Sequence, residues 1–129
     1  MATGMRRPCS GLLAAALISA IAGCQARGAP PRHGVPGGDV DHGRALIASL
    51  GCGNCHTVPG VRGARGSVGP PLAAFDRRDY IAGVLPNNLE NLSAWIMTPQ
   101  RILPGVVMPD MRVTAREARD IAAYLYTLR

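Results

Sequence analysis

Two cysteines two residues apart, followed at once by a histidine, form the most reactive cluster in the chain: Cys52-Gly53-Asn54-Cys55-His56. Two thiols and an imidazole in this order can bind zinc, exchange disulfides, form a structural disulfide, or attach a c-type haem. A zinc site needs two further thiolate or imidazole ligands, and no second pair follows. A thioredoxin-type pair sits in a βαβ context, which this Gly/Pro-rich chain lacks, and a plain disulfide would have no use for His56. The reading that uses all three side chains is haem attachment. Two thiols at the start of a turn add to the two vinyl groups of one porphyrin, and the adjacent imidazole comes up beneath the ring to bind iron.

The elements that must hold this cluster fit one small domain. The chain has 129 residues, and only 4% are aromatic, with one Trp and one Phe. That leaves too few bulky side chains to fill a core unaided, and a covalently held macrocycle would supply the missing apolar body. Val40–Leu50 reads as a helix with Leu46, Ile47 and Leu50 on one side, ended by Gly51. Residues 51–75 are rich in Gly and Pro without alternating β-branched runs, and read as ordered loop. Asn88–Met97 reads as a second helix stopped at Thr98-Pro99, and Arg78–Ala82 is compatible with a short helical turn. Thr114-Ala115-Arg116-Glu117 is a capping box, after which Ala118, Ile121, Ala122, Leu125 and Leu128 recur at helical spacing. No internal repeat is present. The fold class expected is all-α, three main helices with long loops, over residues 39–129.

Upstream, Arg6 and Arg7 precede an apolar run from Gly11 to Gly23, too short to span a bilayer but right for a secretory leader. Ile21-Ala22-Gly23-Cys24 resembles the bacterial lipoprotein signal box, which implies removal of residues 1–23 and lipidation of Cys24. An ordinary secretory cleavage near Ala22 or Gly23 is the alternative, and the flanks of the paired arginines fit twin-arginine export poorly. Residues 24–38 then read as a lipidated cysteine and a flexible Gly/Pro linker, with His33 solvated in it. Loss of Arg6 and Arg7 lowers the formal charge from +6 to +4. All the cationic side chains other than histidine are arginines, which does not by itself indicate nucleic-acid binding.

From about Gly43 to the C-terminus the chain resembles the class I mono-haem cytochrome c family. Gly69-Pro70-Pro71-Leu72 is similar to the family's G-P-x-L, in which the proline carbonyl accepts the proximal histidine's Nδ1–H. The resemblance therefore implies that Pro70 orients His56, with Leu72 beside the haem. Leu103-Pro104-Gly105-Val106-Val107-Met108 is similar to the loop that ends in the distal methionine, implying Met108 as the sixth ligand, with Met111, Met97 and His42 as rivals. Trp95 falls where the family places an aromatic against the haem. Val106 replaces the threonine of mitochondrial members, and Asn87 or Asn88 stands where a tryptophan meets a propionate, so Arg78, Tyr80 and Asn88 become the candidates for that contact.

The resemblance implies one covalent haem c with His/Met ligation, no open site for substrate, and hence electron transfer instead of enzymic turnover. Soft thioether sulfur favours Fe(II) and raises the reduction potential. Tyr80–Asn88 and Ala122–Tyr126 resemble bacterial cytochromes c associated with haem-copper terminal oxidases, including domains fused to oxidase subunit II. That implies a monomeric, membrane-tethered electron donor to such an oxidase on the periplasmic side, with no nucleic-acid partner. Two alternatives remain open here: a ligand-binding or peroxidase haem protein with a labile Met108, and a fixed subunit of a larger oxidoreductase.

Overall fold

The Asp39 carboxylate accepts the backbone N–H of His42 at 2.9 Å and so starts the first helix, α1 (Val40–Ser49). The last helix, α4 (Ala115–Leu125), begins on the expected capping box. The Thr114 hydroxyl accepts the Glu117 N–H, and the Glu117 carboxylate accepts the Thr114 N–H at 2.7 Å. This computed structural model describes Met1 and residues 32–129. The expected leader at 1–23, apart from Met1, and the expected lipidation site at Cys24 lie outside the described residues.

α1 and α4 cross at Gly43, where a Cβ would run into the carbonyl of Asp120. Only glycine allows the two backbones to come this close. The junction is locked by the buried Asp120 carboxylate, which accepts the Asp39 N–H at 2.9 Å and the His42 Nδ1–H at 2.8 Å. Those two bonds hold its carboxyl below the usual aspartate range, against the push of burial.

Asn88 caps α2 (Leu89–Met97) by accepting from Asn91 N, and the helix stops before Pro99 as expected. Proline suits a first helical position, so the chain resumes at once as the single turn α3 (Pro99–Ile102). The core gathers Ile47 from α1, Leu92, Trp95 and Ile96 from α2, and Ala118, Ile121, Ala122 and Leu125 from α4. Among the described residues no helix is long and apolar enough to cross a membrane.

Two expectations need correction. Arg78–Ala82 is not helical. A 3-10 turn lies just before it at Phe75–Arg77, and β1 (Tyr80–Ile81) pairs antiparallel with β2 (Leu85–Pro86). The hairpin closes because Ala82 and Gly83 both take positive φ, 50° and 74°, the twist a tight hairpin needs. The second correction concerns the stretch read as linker, whose final residues 32–38 are docked. The buried Asp76 carboxylate accepts Arg32 N–H at 2.9 Å, His33 N–H at 3.1 Å and His33 Nδ1–H at 3.1 Å. The His33 ring also stacks on Tyr126, with centroids 4.5 Å apart. His33 is therefore not solvated. This strap has no hydrophobic period, and its partners lie more than forty residues away, so no local pattern could have announced it.

Candidate haem-binding site

The cysteine–histidine cluster sits where α1 ends. Gly51 reverses the chain at φ 73°, and Cys52–Asn54 forms a 3-10 turn, with His56 N–H bonded to Cys52 O at 2.9 Å. Cys52 and Cys55 are free thiols, both half-buried, and burial pushes the Cys52 thiol up. The following loop zips back onto this turn. Gly66 N donates to Gly53 O at 2.9 Å, Gly69 N to Cys55 O at 2.7 Å, and Leu72 N to Thr57 O at 2.8 Å. Tyr124 of α4 pins the loop from outside through its hydroxyl to Pro59 O at 2.6 Å.

That folding brings Pro70 O to 2.8 Å from His56 Nδ1. A carbonyl can only accept, so Nδ1 carries the proton and the Nε2 lone pair is left for a metal. The imidazole is held on a second side by Gly69, where a Cβ would strike the ring atoms. The G-P-x-L segment thus fixes both the tautomer and the plane of His56.

The other expected residues lie in or against the hydrophobic core. Leu72 and Met108 are half-buried against the same core cluster as Cys52, and Trp95 on α2 is buried within it. Met108 lies in the loop after α3, where Val106 N bonds to Leu103 O at 3.2 Å and Gly105 takes φ 85°. The rivals fare unequally. Met111 and Met97 are also half-buried against the core, whereas His42 is engaged with Asp120. Of the candidates for a propionate, the Asn88 side chain is occupied as a helix cap and Tyr80 is exposed on β1. The Arg78 guanidinium donates to Pro71 O and Ala73 O and lies over the Phe75 ring, 5.2 Å from its centroid. Tyr126 and Asn87, joined by a bond from the Tyr126 hydroxyl to Asn87 Oδ1, brace this region, and the sequence does not mark them as partners. Nothing in their local sequence spacing links residues that far apart.

The family model for cytochrome c matches residues 40–129. The chain belongs to the cytochrome c family. Similar proteins include cytochrome c oxidase subunit 2 of Alkalihalophilus pseudofirmus, 41% identical over 93 residues, covering 70% of this chain and 26% of that protein. Cytochrome c oxidase subunit 2 of Bacillus subtilis is 34% identical over 86 residues, covering 65% of this chain and 24% of that protein. The chain thus spans about a quarter of the length of these relatives. Membership of the cytochrome c family makes this a haem protein of electron transfer. The residues present fit the group: two free thiols on one turn, an imidazole whose Nδ1 is already spoken for, and a soft thioether in an apolar setting.

Proposed function

We propose that this cytochrome c carries one haem joined by thioether bonds to Cys52 and Cys55, with His56 and Met108 as axial ligands. In this reading it passes single electrons to a haem-copper terminal oxidase. When bound, the haem supplies a one-electron Fe(III)/Fe(II) couple. The chain's own residues do the rest. His56 presents Nε2 because Pro70 O holds the proton on Nδ1, which also makes the imidazole a stronger donor. Met108 would supply soft sulfur, favouring the reduced iron, from the same apolar cluster that holds Leu72 and Trp95. Were His56 and Met108 to hold the iron in both oxidation states, little reorganisation would accompany transfer.

The observation that carries the reading is the 2.8 Å His56–Pro70 contact beside two free, half-buried thiols. The proposed partner rests on the relatives named as oxidase subunits. We further propose residues 1–23 as a removed leader and lipidated Cys24 as an anchor at the periplasmic face of a bacterial membrane. A short tether would raise the effective concentration at a membrane partner toward the mM range. A second reading, a resident subunit of the oxidase instead of a shuttle, is favoured by the same relatives, whose matched stretch is one part of a longer subunit. Co-purification from solubilised membranes separates the two.

The ligand set is tested by optical spectra of the haem-loaded protein. A methionine-to-Fe(III) band in the far red is expected, lost in Met108→Ala and kept in Met111→Ala. The reduced wild type should not bind carbon monoxide, and rapid binding would contradict a closed sixth position.

A further inference from the structure

We infer that Asn87 is a positioning residue for the proximal histidine, and so a determinant of the reduction potential. This rests on the proposed ligation by His56 and concerns a side chain that touches neither ligand. Asn87 is 8% exposed, and each of its side-chain polar atoms is used. Its Nδ2 donates to Arg78 O at 2.9 Å and Phe75 O at 3.2 Å, while its Oδ1 accepts from the Tyr126 hydroxyl at 3.0 Å. Burial pushes the Tyr126 phenol up to about 12, so the hydroxyl stays a donor across the working range.

The two carbonyls that Asn87 grips belong to Phe75, the first residue of the 3-10 turn Phe75–Arg77, and to Arg78, which caps it, at the far end of the segment that begins at Pro70. From there the Arg78 guanidinium reaches back to Pro71 O and Ala73 O, bridging that segment with a side-chain strut. Pro71 O is one peptide from Pro70 O. The φ of Pro71 is locked by its ring, which leaves few backbone torsions between a carbonyl held by Arg78 and the one held on His56. The carbonyl of Arg78 is therefore the outer anchor of a strut whose inner end sets the Nδ1–H···O bond. Releasing it loosens that bond. A weaker bond makes the imidazole a poorer donor to iron and Fe(III) less stable.

The test uses the full chain matured with haem, in wild type, Asn87→Leu, Tyr126→Phe and, as a control, the core truncation Ile47→Val. Hydrogen exchange of the His56 Nδ1 proton by NMR of the reduced protein is read together with the midpoint potential and Tm. Asn87→Leu should speed that exchange by at least about tenfold and raise the potential. Tyr126→Phe keeps both of Asn87's carbonyl contacts and should move both readouts the same way by less. Ile47→Val should lower Tm and leave both unmoved. Asn87→Leu lowering Tm with exchange and potential unchanged would overturn the inference. Were Asn87→Leu not to mature, Tyr126→Phe decides, and an unmoved exchange and potential there would overturn it as well. A wild type with no iron-bound imidazole overturns the haem reading and this inference with it, whereas normal wild-type signals beside unmoved variants overturn this inference alone.

Discussion

Replacing Asp76 with asparagine isolates the strap that the sequence disguised as linker. The carboxylate is 2% exposed and accepts three N–H groups, Arg32 N on one oxygen and His33 N and Nδ1 on the other. An amide of the same shape has a single acceptor oxygen and turns its NH2 against one of those donor sets. Hydrogen bonds to a charged acceptor contribute about 1.5–3 kcal/mol each, and leaving buried donors unmatched costs a similar amount, so Asp76→Asn should destabilise by about 2–4 kcal/mol. At about 4 °C per kcal/mol for a domain near this size, Tm falls by roughly 8–16 °C. The effect has a pH signature. Burial alone would raise the Asp76 pKa, but the bonds from Arg32 N, the His33 side chain and His33 N outweigh it and hold the native pKa below the usual value. A carboxyl whose folded pKa is depressed contributes in full above the unfolded pKa, and the contribution is lost as pH falls through the native one. The gap in Tm between wild type and Asp76→Asn should therefore be widest near neutral pH and close in acid. Hydrogen exchange supplies the local readout, with the amides of Arg32 and His33 losing protection while α2 keeps its own. A variant with wild-type Tm and unchanged protection at both amides would refute the argument that these contacts hold the strap.

Three further outcomes follow from close packing and capping. Gly69→Ala drives a methyl into the His56 ring and should cost about 1–3 kcal/mol while weakening the proposed ligation by His56, seen as a changed haem spectrum; an unaltered spectrum would count against Gly69 as the stop behind that ring. Gly43→Ala separates α1 from the carbonyl of Asp120, and a loss of about 1–3 kcal/mol in unfolding free energy, read as a lower denaturant midpoint, is expected without a spectral change. Thr114→Ala removes the α4 cap for about 1 kcal/mol, a Tm loss of several degrees, and leaves the far-red band in place.

What the sequence reveals here depends on distance along the chain. The capping box of α4 and the helix end at Thr98-Pro99 are local rules, in which a side chain meets its own backbone or a proline forbids the next turn, and both stand in the structure. The meeting of Pro70 with His56 spans fourteen residues and is implied by family resemblance, not by any periodicity. The strap, the Asn87–Tyr126 bond and the Asp120 lock join residues 39 to 81 positions apart, and their value lies in burial that composition does not record. Arg32–Gly38 looks like a spacer because its stability is lent by Asp76 and Tyr126. The hairpin is illegible for a related reason, since its two-residue strands are too short to show alternation and its turn uses a left-handed alanine.

The central claim, one haem held through Cys52 and Cys55, is tested most directly by the mass of the chain matured in a cell competent for haem attachment. Trypsin releases the stretch between Arg44 and Arg62, which carries both thiols and His56. The account predicts that this peptide bears a single macrocycle that acid extraction does not remove, and that Cys52→Ala with Cys55→Ala abolishes it. An unmodified peptide from the well-folded matured protein would contradict it.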